Sequence, residues 1–326
     1  MVESTFELDS FDHFELRIYT IGYSRQGESI LTLLCDKNRI IYSVLTDSYQ
    51  KQIKGNKAYN VLDDIFKYFE NPRIDAFVWT HPDLDHSIGI EYAFDTFDPE
   101  RKAMVFVPDG LDRKDKYAIS GASKDAFDYL NEYYFQNKHG IPVSVSSHEE
   151  RKILKLRIKE IVSGASVNVD FFFIAPSGEI MLKRAAHEKK FTINEMSIVY
   201  AINMNGRNFM FTGDFEGENL DMMGTDHMEL LQYLKIPHHG SYRSSSIIGK
   251  LQMLNDRSIV QTVTQKGQTP DKSELNDYLK IGNVYVASDD TVTKDQYGYV
   301  LVKYGVRDVN LIDAPYMEGN AHQHLR

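Results

Sequence analysis

Two histidines and two carboxylates fall within six residues at His81-Pro82-Asp83-Leu84-Asp85-His86. The run ahead of them, Ile74-Asp75-Ala76-Phe77-Val78-Trp79-Thr80, is β-branched, aromatic and apolar, and reads as a buried strand. After it, apolar side chains at Ile88, Ile90, Tyr92, Ala93 and Phe94 predict a helix opening at Ser87. Four candidate ligands therefore sit on a strand-to-helix turn, where one backbone can aim them at one point. Imidazole with carboxylate suits Zn, Mn or Fe and argues against a soft thiolate site. His81 and Asp83 share one side of an extended segment, and Asp85 and His86 reach a second point, so one turn can feed two metals. Metals roughly 3.5–4 Å apart clamp both oxygens of a phosphate ester in cleavage. The plainer reading is a polar turn with Asp85 capping the helix.

The remaining composition narrows the class. The chain has 326 residues, 42% hydrophobic and 26% charged, which suits one large α/β domain. Its one cysteine, Cys35, lies in an apolar run and reads as a core thiol, so a cysteine-only zinc site is excluded. No run approaches the ~18 apolar residues of a membrane span. The acidic start, residues 1–14, lacks the pattern of a signal peptide, and the expected location is cytoplasmic. A net charge of −10 weighs against a broad nucleic-acid surface. Arg101-Lys102, Arg113-Lys114-Asp115-Lys116, Arg151-Lys152 with Lys155, Arg157 and Lys159, and Lys183-Arg184 read singly as solvated faces.

Along the chain, strands are expected over residues 16–22 and 29–35 with a turn at Ser24-Arg25-Gln26-Gly27, and over 40–45 ending at Asp47. Asp47 reads equally as a turn residue or as a carboxylate that orients a ligand histidine. Helical spacing covers 58–69 and 123–135, residues 111–121 read as a loop, and 152–162 fits helix or strand. Strands at 171–175, 197–202 and 208–212 follow, the last two a hairpin around Asn205-Gly206. The hairpin runs into Thr212-Gly213-Asp214, where a carboxylate after glycine can approach a metal closely. A short strand at 234–236 enters Pro237-His238-His239-Gly240-Ser241, a second histidine pair at a strand end. Strand 258–263, helix 273–279 and strands 284–287 and 299–304 complete a pattern of two mixed sheets with helices outside. The other histidines, among them His13, His139, His148, His227, His322 and His324, read as surface or polar-environment residues.

Asp47, His81-x-Asp83-x-Asp85-His86, Asn194-x-x-Ser197, Thr212-Gly213-Asp214 and Lys235-Ile236-Pro237-His238-His239-Gly240-Ser241 stand in the order of the metallo-β-lactamase superfamily. The set most resembles the metallo-hydrolase domain of DNA-uptake competence proteins of the ComEC type, over roughly residues 16–305. The resemblance implies one α/β domain over 1–326, an αββα sandwich of two mixed sheets flanked by helices. It implies two divalent metal ions, Zn or Mn, held by His81, Asp83, Asp85, His86, a bridging Asp214 and His239, the histidine directly before glycine. Asp85 and His238 are the implied catalytic residues, with Ser241, Tyr242 and Arg243 near a phosphate or, for Arg243, simply at the surface. The implied activity is a phosphodiesterase or nuclease acting on DNA, RNA or a nucleotide, with a partner protein supplying the missing basic surface. The alternatives are a hydrolase of cyclic nucleotides or lactones and a scaffold module. The chain departs from the pattern in several places. Asp83 stands where most members have His. Asn194 and Ser197, with His187 nearby, fill the third motif, and Glu28 replaces an Asp. Ser87-Ile88-Gly89 alters the glycine-rich tail, and Gly267-Gln268-Thr269-Pro270 replaces Gly-His-Pro. An oxygen-rich set of His81, Asp83 and Asp214 favours Mn²⁺ or Mg²⁺.

Overall fold

A computed structural model describes residues 2–23, 26–49, 61–109, 111, 121–137, 139–145, 151–185 (183–185 as backbone alone), 192–217, 220, 223, 227–251, 253, 258–264, 269–288 and 297–325. Ser24, Arg25, the helix start at 58–60, Arg113 to Lys116, most of loop 111–121, His148, His187 and Gly267-Gln268 lie outside the described residues.

Strands that are apolar on both faces must be covered on both, and this chain stacks them into two sheets. An eight-stranded sheet runs in the order Tyr316–Gly319, Tyr297–Gly305, Phe14–Tyr23, Gly27–Asp36, Arg39–Thr46, Ala76–Val78, Met104–Pro108, Gly140–Val143. A nine-stranded sheet runs Val2–Leu8, Arg151–Glu160, Ser166–Ala175, Val199–Met204, Arg207–Phe211, Leu231–Lys235, Ile259–Thr262, Asn283–Val286, His322–Gln323. Both are mixed. Val2–Leu8, Tyr316–Gly319 and His322–Gln323 add strands outside the 16–305 span of the resemblance. Segment 152–162, open between helix and strand in the sequence, is the strand Arg151–Glu160 running into a turn. Its alternating inward Leu154, Leu156 and Ile158 are buried beneath Lys155, Arg157 and Lys159.

Three hydrophobic layers show the stacking. Leu16, Ile18, Ile30, Val44 and Val78 meet Leu156, Phe173, Ile202 and Phe211 between the sheets. The other face of the eight-stranded sheet, with Leu31, Leu33, Phe77 and Val105, is closed by helices Val61–Phe66, Ile90–Phe97 and Ala122–Leu130. The far face of the nine-stranded sheet, with Val199, Met210, Leu234 and Val260, takes Leu275 and Tyr278 of helix Lys272–Tyr278. This is the expected αββα sandwich. Cys35 is buried in the helix-covered layer, where burial pushes its thiol up to about 12. Among the described residues, no helix is long and apolar enough to cross a membrane.

Two groups of parallel strands matter most. Arg39–Thr46 and Ala76–Val78 pair in parallel in one sheet, and Arg207–Phe211 and Leu231–Lys235 do so in the other. Their carboxyl ends deliver Asp47, His81, Asp214 and His239, and in open α/β sheets this is the end where ligands bind.

Candidate metal centre

The turn after Ala76–Val78 is a single 3-10 turn, Leu84–His86, with Asp83 at its cap. Asp83 Oδ1 accepts the backbone N–H of Leu84 at 2.7 Å, and the Ser87 hydroxyl donates to the Asp83 carbonyl. That capping turns Asp83 outward: it is exposed, while His81, Asp85 and His86 are buried. The cap is thus Asp83 and not Asp85, and of the sequence-predicted ligands Asp83 is the exposed one. The helix starts at Ile90, later than expected at Ser87. Gly89 in the left-handed region (φ 85°) separates it from the short strand Ser87–Ile88.

On the opposite sheet, Gly213 takes φ 51°, and a β-carbon there would lie 2.8 Å from the Thr80 side chain. Only glycine lets Asp214 come so close to the first turn. The other histidine pair sits on a left-handed turn: His238, His239 and Gly240 have φ of 45°, 49° and 80°. Non-glycine residues held there store strain, and such strain gathers at functional sites. The turn sends the two rings apart, His239 into the protein and His238 toward the rim, where its side chain is 18% exposed.

Asp85, His86, Asp214 and His239 bring one ligand atom each within 4.8 Å of one another, all buried. His86 Nε2 is 3.4 Å from Asp214 Oδ2 and 3.9 Å from Asp85 Oδ2. His239 Nε2 is 3.3 Å and 3.5 Å from the same two oxygens. His81 stands beside them, its ring 4.2 Å from that of His86. The Nε2 atoms of His81, His86 and His239 and Oδ1 of Asp214 are buried and meet no aligned hydrogen-bond partner. Such atoms are costly unless something else satisfies them. Two imidazoles and two carboxylates converging on one point fit a borderline divalent cation such as Zn²⁺ or Mn²⁺.

Charge in the cluster is strongly skewed. Burial alone would raise the Asp85 carboxyl, but His86 and His239 hold it down at about 2. Asp214 is likewise held far below the carboxylate range, against its burial, by His239 and His86. Burial disfavours the His239 imidazolium, yet Asp214 and Glu28 raise it to about 9. His86 is raised well above its ordinary value by Asp214, Asp47 and Asp85 against the same burial. His81 goes the other way, to about 4, through burial and the neighbouring His86.

Around the cluster lie the groups that aim it. Asp47 Oδ2 is 2.7 Å from His86 Nδ1, and Asp47 also accepts from Thr80 N at 2.7 Å and Thr80 Oγ1 at 2.6 Å. Of its two sequence readings, orientation of a ligand histidine is the one the geometry supports. His238 Nδ1 is 2.5 Å from Glu216 Oε2, and His238 Nε2 is 3.2 Å from Asn194 Nδ2 and 3.9 Å from Asp214 Oδ2. Arg243 is at the surface, as expected, with its guanidinium 3.2 Å from Oε1 of the buried Glu216. Ser197 is buried, and Asn194 reaches His238. His227, expected in polar surroundings, packs its ring 3.9 Å from that of Phe172.

Sequence reasoning missed Glu216 entirely and gave Glu28 and Lys235 no structural role. A carboxylate two residues past Asp214 was the available signal for Glu216. A lysine closing an apolar strand was the signal for Lys235.

No family model matches the chain, and no curated protein does. Solved structures match it. One is a chemotaxis sensor, ODP, solved as its peroxy diiron species. It is 15% identical over 60% of this chain and 60% of that one, with a TM-score of 0.28. Another is the metallo-beta-lactamase fold protein YhfI from Bacillus subtilis, 10% identical over 86% of this chain and 98% of that one, with a TM-score of 0.39. The chain spans less than two thirds of the length of the first and nearly all of the second.

Proposed function

We propose that this protein is a metal-dependent hydrolase of the metallo-β-lactamase superfamily that cleaves phosphodiesters in DNA, RNA or nucleotides. The observation that carries the reading is the buried convergence of Asp85, His86, Asp214 and His239 from the strand ends of two different sheets. These four would hold divalent ions, Zn or Mn, with His81 adjacent. Such ions supply Lewis acidity and bring the pKa of a bound water toward ~7.

The chain's own groups then divide the work. Asp85, held ionised at neutral pH, is a proton acceptor beside the reacting centre. His238, anchored through Nδ1 on Glu216, presents Nε2 beside Asp214 and Asn194, where the ring can contact the substrate. Asn194 holds the same ring from the other side.

One observation favours a nucleotide over a long polymer. Arg101 pairs with Asp95, Lys102 with Glu100, and Lys152 with Asp170 at 2.6 Å. Lys155 lies 3.9 Å from Glu3. These four cations each stand beside a carboxylate, and we read a polymer substrate as needing basic surface from a partner protein. The test is metal content together with Mn²⁺-stimulated cleavage of labelled single-stranded DNA, RNA and cyclic nucleotides, with Asp85→Ala beside wild type. Metal-dependent cleavage that drops by about 10³-fold or more in the variant is expected. Wild-type protein that takes up neither Mn²⁺ nor Zn²⁺ refutes the reading.

A further inference from the structure

Glu28, Asp47 and His86 also bring ligand atoms within 4.8 Å of one another, all buried, which on distance alone resembles a second cation site. Its charges are already answered. Asp47 is engaged by Thr80 N, Thr80 Oγ1 and His86 Nδ1. Glu28 Oε2 lies 2.8 Å from Lys235 Nζ, both side chains essentially inaccessible to water. The same Oε2 is 3.3 Å from Nδ1 of His239, whose Nε2 faces the metal cluster. Lys235 Nζ also donates to the carbonyl of Ile236 at 2.9 Å, at the entrance to the turn that carries His239.

The location of this pair gives it a role. Glu28 lies on Gly27–Asp36 of the eight-stranded sheet, and Lys235 ends Leu231–Lys235 of the nine-stranded sheet. The metal cluster is split in the same way. Asp85 and His86 follow a strand of the first sheet, and Asp214 and His239 follow strands of the second. Burying an ion pair is costly, and an apolar pair of similar volume often stabilises as well. Stability alone therefore does not account for a lysine here.

We infer that Glu28 and Lys235 form an inter-sheet strut that positions His239: the Glu28 carboxylate stands 3.3 Å behind Nδ1 and leaves Nε2 aimed at the metal, and Lys235 holds Glu28 to the His239 turn. Both are positioning residues. The inference rests on the metal-centre reading. A carboxylate behind a ligand histidine fixes its tautomer and raises its basicity, and removing one costs about 10–100-fold in metal affinity.

The experiment is a Co²⁺ titration of the full chain against a competing chelator, following the visible ligand-field bands, with ¹⁵N-histidine spectra of the Zn²⁺-loaded protein. Wild type is compared with Glu28→Gln, Glu28→Asp and the double variant Glu28→Gln/Lys235→Met. Glu28→Gln is expected to weaken metal binding by about 10–100-fold and to broaden or shift the His239 Nδ1–H signal. Glu28→Asp, which keeps the charge, should recover part of the loss. Should the single variant fail to fold, the double variant, which buries no unpaired charge, still reports, and it should fold yet bind metal as weakly. A double variant that binds Co²⁺ with wild-type affinity and unchanged bands overturns the inference while leaving the metal centre standing. Wild type that binds no metal overturns both.

Discussion

Asp83 and Asp85 are two residues apart and chemically alike, yet the fold treats them differently. Asp83 spends a carboxylate oxygen on the Leu84 amide and faces solvent, and Asp85 is buried against His239. Asp83→Ala should therefore lower metal affinity far less than Asp85→Ala. In a chelator-competition titration, the Asp85 variant is expected to lose more than 10-fold and the Asp83 variant less than 3-fold, about the cost of a lost cap. Equal losses would show that Asp83 swings inward when metal binds. The contrast marks what the sequence carries at this scale. Residue type and spacing marked His81, Asp85, His86, Asp214 and His239, because metal chemistry limits which side chains serve. They could not separate two aspartates whose difference is a single backbone hydrogen bond. The partners of Glu216 and of the Glu28–Lys235 pair could not be read for a related reason. They act across 22 and 207 residues of sequence, and only the packed sheets bring them to His238 and His239.

At the scale of elements, the site depends on turns whose backbone is held where side chains resist it. Gly213 is the sharpest case. A methyl group there would meet Thr80 Cβ at 2.8 Å and Thr80 Oγ1 at 2.9 Å. Thr80 in turn holds Asp47, and Asp47 holds His86. Gly213→Ala should cost about 1–3 kcal/mol in urea unfolding, from backbone strain and overpacking together. It should also weaken metal binding through the displaced Thr80–Asp47–His86 chain. Gly206→Ala is the control: it also has positive φ, but the added carbon meets nothing within 4 Å, so it should cost stability without touching metal affinity. Strands were readable because short apolar runs bounded by turn residues have few other uses. The hairpin at Asn205-Gly206 was readable because φ of 49° and 77° is what that pair tolerates. The left-handed turn at His238-His239 was not readable, since no propensity predicts two histidines in that region.

For the whole molecule, the cluster couples metal, protons and the packing of two sheets. Without metal, His239 is raised to about 9 and His86 well above 6.5. In the unfolded chain both titrate near ~6.5. A raised folded value means the native state binds the proton more tightly, so this stabilisation is complete below about pH 6.5 and is lost as pH climbs through 9. His81 has the opposite sign: depressed to about 4, it removes stability as pH falls below about 6.5. Asp85, held at about 2, contributes stability above about pH 4 and loses it only as pH falls toward 2. Metal-free protein should therefore be most stable near pH 6–7, with a melting temperature that falls between pH 7 and 9. A metal ion replaces the His86 and His239 protons, so it removes that alkaline loss and releases protons on binding. At a hundredfold excess over its dissociation constant it also adds about 2.7 kcal/mol by mass action, drawing together ligands that come from both sheets. Thermal melts from pH 5 to 9, in chelator and in Mn²⁺, together with proton release on loading at pH 7 in weak buffer, check this directly. If the metal-free melting temperature is flat from pH 7 to 9 and no proton is released on loading, then His86 and His239 are already neutral. The carboxylates around them would then be balanced in some other way.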